Sequence, residues 1–230
     1  LLYTGNGATS ARAITGFEFA PDLVWLKNRD STYHHQIHDT VRGTSGGVLY
    51  PNQTSVEDPI YSLSSFDSNG FSIAKDANQA GQNNNGDDYV AWCWKAGGTA
   101  VSNTDGSITA QVSANTEAGF SIMTWTGNGY ISGSTIGHGL GKAPKMIWIK
   151  RRNISTDNWA IYFNDGTKRI SSFFNTSAPI DPAQASYWPN NDPTSSVFYV
   201  GTDSAVNGSV SMTYVGYAWA EIPGYSKFGT

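Results

Sequence analysis

The chain repeats itself, and an internal repeat constrains a fold more than any local signal does. Thr4-Gly5-Asn6-Gly7 returns as Thr126-Gly127-Asn128-Gly129, and the stretch Pro21 to Arg29 returns as Pro144 to Arg152. Asn52 and Asp58-Pro59 return as Asn175 and Asp181-Pro182. Phe71-Ser72-Ile73 returns as Phe198-Tyr199-Val200, and Tyr89 to Trp94 as Tyr214 to Trp219. All five matches keep their order, and each is displaced by 122 to 127 positions. The arrangement predicts an internal duplication, with copies over residues 1–96 and 119–230. Residues 97–118 have no counterpart and read as a linker hairpin or edge addition. Its turn falls at Thr104-Asp105-Gly106, where Asp-Gly suits a type I′ geometry with both central residues at positive φ.

Within each copy the signals are those of strands. Leu23 to Lys27 is a short apolar run, bounded by Pro21 and by Asn28-Arg29-Asp30, too short for a helix and suited to a strand buried on both faces. Tyr89 to Trp94 alternates, so that Val90, Trp92 and Trp94 share one face and Tyr89, Ala91 and Cys93 the other. Asn-Gly and Asp-Gly pairs punctuate the chain every eight to twelve residues or so, the rhythm of a sandwich or barrel. Glu57 to Ser65 comes nearest to a helical period, and Pro59 interrupts it. The expected fold is all-β, with two tandem β-sandwich domains of jelly-roll or lectin-like type; one pseudo-symmetric domain is the alternative.

Composition narrows the function. Only 14% of the 230 residues are charged and the net charge is −4, with no run of Lys and Arg to track a phosphate backbone, so nucleic acid is not an expected partner. No apolar run reaches the roughly 18 residues of a membrane span. The single cysteine, Cys93, excludes an intrachain disulfide. The chain starts at Leu1 without Met and ends close behind the last strand of copy two, which suggests a piece of a longer array.

Several motifs resemble chemistry and fall short of it. Gly43-Thr44-Ser45-Gly46-Gly47 matches the hydrolase pattern, but Val48-Leu49-Tyr50-Pro51 follows where a helix is required, and copy two has no serine there. His34, His35 and His38 would share a helix face; on a strand they lie too far apart for one ion. Asn83-Asn84-Asn85-Gly86-Asp87-Asp88 offers oxygens to Ca²⁺ but lacks the first Asp and last Glu of a calcium loop, so Ca²⁺ is the one cofactor to consider and no metal ligand is assigned. Gly137 to Ala143 has the wrong spacing for a phosphate loop. No carboxylate pair suggests a polysaccharide depolymerase, which needs two about 5–10 Å apart in a cleft. The expectation is a protein without catalytic residues. The Asn-x-Ser/Thr matches at Asn52, Asn153, Asn175 and Asn207 follow from composition.

Aromatic residues make up 13% of the chain, with 8 Trp and 12 Tyr. Such rings either fill cores or stack on sugars. Trp25, Trp94, Trp148 and Trp219 repeat between copies and are assigned to the cores, with Trp25 superposing on Trp148 and Trp94 on Trp219. Rings unique to one copy and placed in loops are the expected ligand contacts: Tyr33, Tyr61, Tyr130, Tyr187 and Trp188.

Taken together, Tyr3-Thr4-Gly5-Asn6-Gly7, Pro21 to Arg29, Asp39-Thr40-Val41-Arg42-Gly43, Tyr89 to Gly97 and Pro223 to Gly229 resemble a repeated domain of uncharacterised function, found in tail-fibre and other virion proteins of marine bacteriophages, including those of cyanobacteria. The resemblance implies a structural or receptor-binding module of a virion appendage, outside the cell, with other virion proteins and host surface glycans as partners. A homo-oligomer, most often a trimer, is the usual fibre assembly. A secreted or surface-filament carbohydrate-binding module of a cell is the alternative. Copy two departs from the Asp-x-Val-Arg-Gly pattern.

Overall fold

The computed structural model describes residues 1–60, 63–74, 81–166, 169–177 and 184–229. Among them there is no α-helix; the protein is all-β, built of antiparallel sheets. It divides into two compact units, Leu1–Lys95 and Ala96–Thr230.

The first unit contains β1 (Leu2–Thr4), β2 (Arg12–Thr15), β3 (Leu23–Asn28), β4 (Gln36–Asp39), β5 (Leu63–Asp67), β6 (Gly70–Ile73) and β7 (Asp88–Trp94). They form one sheet in the order β1-β7-β3-β4 and a smaller one in the order β2-β6-β5. Alternation along β3 and β7 turns Val24, Leu26 and Ala91 inward, where they pack with Ile14, Leu63, Phe71 and Ile73 of the smaller sheet. Each of these larger than Ala91 contributes roughly 1.5–3 kcal/mol by burial.

The second unit contains β8 (Val101–Asn103), β9 (Ala110–Asn115), β10 (Phe120–Thr126), β11 (Ser134–Gly137), β12 (Pro144–Arg151), β13 (Ala160–Asn164), β14 (Arg169–Phe173), β15 (Val197–Val200) and β16 (Thr213–Ala220). Its large sheet runs β14-β13-β12-β16-β10-β9-β8, and β11 pairs with β15. The inner run β10-β16-β12-β13 has the order of β1-β7-β3-β4, and the registers coincide. Trp25 faces Trp92 as Trp148 faces Tyr217, and Leu23 faces Trp94 as Met146 faces Trp219. Tyr3 stacks on Tyr89 at 4.9 Å, and Trp125 stacks on Tyr214 at 5.5 Å in the same place.

Residues 97–118 form a hairpin added at the edge of the second unit's sheet: β8 pairs with β9, and β9 with β10. Two details differ from the sequence reading. The turn at Asp105-Gly106 is not type I′, since neither residue has positive φ; a Cβ on Gly106 would lie 2.3 Å from the Thr135 carbonyl oxygen, so close packing requires the glycine. Of the repeated tryptophans, Trp148 and Trp219 are buried core residues as expected, whereas Trp25 and Trp94 are only half-buried, on the face of their sheet opposite Val24 and Leu26. The inward alternation of β3 and β12 gives the core face to the smaller Val24, Leu26, Ile147 and Ile149.

The Thr-Gly-Asn-Gly repeat has a structural purpose. Asn83 Oδ1 accepts the Asn6 backbone N–H, and its amide donates to Asn6 Oδ1 and the Ala8 carbonyl. Asn207 does the same to Asn128 and the Ile131 carbonyl. Both asparagines are fully buried, so one internal amide pins the loop after β1 and another the loop after β10.

Candidate functional site

The outer face of the first unit is built around β3 and β7. Trp25 and Trp92 sit opposite each other in register, and their rings meet edge to face at 5.8 Å. His35, just ahead of β4, meets Trp25 edge to face at 5.7 Å, and its Nδ1 accepts the Trp25 indole N–H at 2.9 Å. An accepting Nδ1 requires the neutral imidazole with its proton on Nε2. Burial, helped by the charge of Lys27 and by His34, holds the His35 pKa below its ordinary value and favours that form.

Polar groups continue the surface. Asn52 Oδ1 accepts the His35 backbone N–H at 3.1 Å, and the His34 ring nitrogens meet the side-chain amides of Asn52 at 3.0 Å and Gln53 at 2.7 Å. The result is an indole pair, with Trp92 44% exposed, bordered by two imidazoles and two carboxamides. Rings give a flat apolar surface, and the amides and imidazoles offer donors and acceptors beside it.

In the second unit the same place is closed. Asn175 accepts the Trp159 backbone N–H as Asn52 accepts that of His35. Trp159 therefore stands where His35 stands, and Phe174 where Pro51 stands. Phe174 packs on Trp148 at 4.7 Å and on Trp159 at 6.2 Å, and Phe120 packs on Trp219 at 5.0 Å. Tyr217, the counterpart of Trp92, is fully buried.

Behind the open face, the Asp-x-Val-Arg-Gly segment is an internal brace. Arg42 Nε donates to Asp39 at 2.6 Å, Nη1 to Glu57 at 2.5 Å, and Nη2 to the Ile37 carbonyl at 3.1 Å. The Arg42 and Asp39 side chains are fully buried. Gly43-Thr44-Ser45-Gly46-Gly47 wraps this guanidinium as a 3-10 turn over Thr44–Gly46, with no strand-to-helix elbow. A Cβ on Gly46 would meet the Arg42 Cβ at 2.6 Å, and one on Gly47 the Asp58 carbonyl oxygen at 2.1 Å.

The three histidines each have a partner of their own. His38 is buried against the Gln82 amide at 3.2 Å, and burial, with the Arg42 charge, pushes its pKa down to about 3. Among the described residues no group of three or more His, Cys, Asp or Glu could hold a metal ion. The oxygens of the Asn83 to Asp88 hairpin are engaged within the protein: Asp87 Oδ2 accepts from Asn28 and Asn84, and Asp88 Oδ1 from Thr4.

The ring residues expected as ligand contacts fall in both units. Tyr33 is exposed in the first unit, between β3 and β4. Tyr130 is exposed in the second, with a left-handed backbone of φ 65°. Tyr187 is half-buried against Phe173 at 5.2 Å, and burial, with the nearby Asp203, pushes its pKa up to about 12. Trp188 is only 3% exposed and packs on Tyr162 within the core, so its ring offers no face to a ligand. Tyr61 lies outside the described residues. Sequence reasoning assigned Trp25 to the core because it repeats, and gave Trp92 no more than a strand face. The signal was in the covering positions: His35 against Trp159, and Pro51 against Phe174.

The whole chain, residues 1–230, matches the family described as Domain of unknown function (DUF7483). The chain belongs to this family. The DUF7483 match spans both units. No curated protein and no solved structure matches the chain.

Proposed function

We propose that this DUF7483 protein is a non-catalytic glycan-binding module, and that its sugar contact is the Trp25–Trp92–His35 face of the first unit. The observation that carries this reading is the open indole pair: Trp92 is 44% exposed where its counterpart Tyr217 is fully buried. Exposed rings beside amides and imidazoles match a saccharide, whose C–H face stacks on an indole while its hydroxyls take hydrogen bonds. The setting we propose is a bacteriophage tail fibre or similar virion appendage outside the cell, with host surface glycans and other virion proteins as partners and a homo-oligomer, most simply a trimer, as the assembly. The sequence repeat and the shared strand register support descent from a duplicated sandwich. Several weak sites held on one particle would bind through avidity.

A glycan array probed with the full chain tests the binding reading, with Trp92→Ala beside it. The expected result is retention of at least one glycan class, weakened tenfold or more by Trp92→Ala. A chain that retains no glycan, or a variant that binds as the parent does, would overturn it. Mass spectrometry of purified virions tests the setting separately: absence of the chain from particles would leave a cellular or secreted module.

A further inference from the structure

We propose that the second unit carries a lipid-contacting tip, formed by its paired loops 127–133 and 207–212, which seats Tyr130, Ile131 and Val210 in the interface of a phospholipid bilayer. This is a contact on a membrane surface, not a span, and it is separate from the indole pair of the first unit. Val210 is 76% exposed, the most of any large apolar side chain among the described residues, and Ile131 and Tyr130 are 57% and 44% exposed. The two loops are joined. The Gly127 N–H donates to the Met212 carbonyl at 2.9 Å and the Gly129 N–H to the Gly208 carbonyl at 2.8 Å. The Tyr130 hydroxyl meets the Met212 sulfur at 3.8 Å. Tyr130 is also the one non-glycine residue with positive φ among the described residues, and a ring held in that uncommon conformation points to a task beyond folding.

Three features favour a lipid over a protein. Residues 127–133 and 207–212 contain no Asp, Glu, Lys or Arg, so nothing charged has to leave water with the three side chains. Much of the tip backbone is paired within the unit, as contact with acyl chains requires. Besides the bonds above, the Ile131 carbonyl accepts from the Asn207 amide at 3.1 Å and the Ser134 hydroxyl at 2.8 Å, and the Met212 N–H donates to the Ser209 carbonyl at 2.9 Å. Finally, three side chains fall far short of the roughly 20–30 residues a side that a specific protein interface uses, whereas a bilayer demands no matching shape. A tyrosine beside two aliphatic side chains also suits the bilayer boundary, where aromatic rings are enriched. The first unit's tip lacks these features. Ala8 and Thr9 take the places of Tyr130 and Ile131, and Asn84, Asn85 and Asp87 stand in the loop bonded to them.

The test mixes the full chain with phosphatidylcholine vesicles, followed by flotation, and with bicelles that carry a nitroxide-labelled lipid, followed by NMR. The chain should float with the vesicles at millimolar lipid, in low and in high salt alike, since the tip has no charge to screen. The nitroxide should broaden the amides of Tyr130, Ile131 and Val210 and leave those of Ala8 and Thr9 sharp. Ile131→Ser combined with Val210→Ser, both at positions mostly in water, should cut partitioning at least tenfold. Val101→Ser, at a position 65% exposed but outside the two loops, should leave it unchanged. A chain that stays below the vesicles, a double variant that floats like the parent, an equal loss from Val101→Ser, release by salt, or broadening centred elsewhere would overturn the proposal. So would a double variant that changes only the sedimentation of the free chain, which would make the tip a contact between copies.

Discussion

In the first unit Trp92 stands 44% exposed; at the same point of the second unit's sheet Tyr217 is fully buried. The two strands that carry them pair with their neighbours in the same register, so the difference does not come from the backbone. It comes from what lies over them. Trp159 and Phe174 close the second face, while His35 and Pro51 at the same places are too small to close the first. The strands β4 and β13, which hold equivalent places, differ likewise. Asp39 of β4 is held by Arg42, whereas Phe163, its counterpart on β13, packs against Phe228 at 6.5 Å. The inner face fixes the frame, because the inward residues of both units must fill a sandwich. The outer face is free to diverge, and that freedom separates an open aromatic surface from a second packed layer.

The strongest way to break this comparison is to truncate the two equivalent rings. Tyr217→Ala should destabilise the second unit by about 3–5 kcal/mol, as loss of a fully buried aromatic does. Trp92→Ala should lower stability by only about 1 kcal/mol, since much of its ring is already in water. Denaturant unfolding of both variants decides it; equal losses would mean the faces are not differently covered.

Arg42→Gln should destabilise the first unit by about 3–5 kcal/mol, because it leaves Asp39 buried without its cation. Hydrogen exchange should then rise across residues 36–58 and stay unchanged across 144–164. Unchanged protection in both segments would show that the ionic brace is dispensable.

The shared feature gives a smaller and symmetrical effect. Asn83→Ala and Asn207→Ala each strip a part-buried backbone N–H and a carbonyl of their partner, which costs about 1–3 kcal/mol. The two losses should agree within about 1 kcal/mol. A loss at only one position would separate the two loops that now look alike.

The frame was legible in the sequence, and the outer face was not. Periodicity in Tyr89 to Trp94 separates the two faces correctly, and the matches at Pro21/Pro144 and Tyr89/Tyr214 fall on strands of equal register. Period two says which residues share a face; it does not say which face is covered. Trp25 and Trp148 look identical in the sequence because they are identical, and their exposure depends on residues 10 to 26 positions away. The Arg42 brace was hidden for a related reason: Glu57 is remote along the chain, and only folding brings its carboxylate to the guanidinium. Asn83 and Asn207 sit in polar loops that read as solvated, although each is buried by the strand it pins.

The finest test concerns His35, which takes the Trp25 indole N–H in a place where the second unit has Trp159, a ring that does not titrate. The folded pKa of His35 lies below its ordinary value of 6.5, chiefly through burial. Neutral His35 is thus favoured by the fold: its contribution to stability is complete above pH 6.5 and is lost as the pH falls through the lower folded pKa. The ring is only half-buried, so solvent screening holds the effect below about 1 kcal/mol. Spectroscopy reads it better than stability does. Protonation gives Nδ1 a hydrogen, removes the acceptor and releases the indole, so the Trp25 indole N–H resonance should move on acidification from pH 7, while that of Trp148 holds still. His35→Gln should abolish the movement, which distinguishes His35 from His34 and His38 as its source. If the Trp25 resonance titrates unchanged in that variant, the hydrogen bond that orients the open indole pair is not the one inferred, and the contrast between the faces would rest on covering size alone.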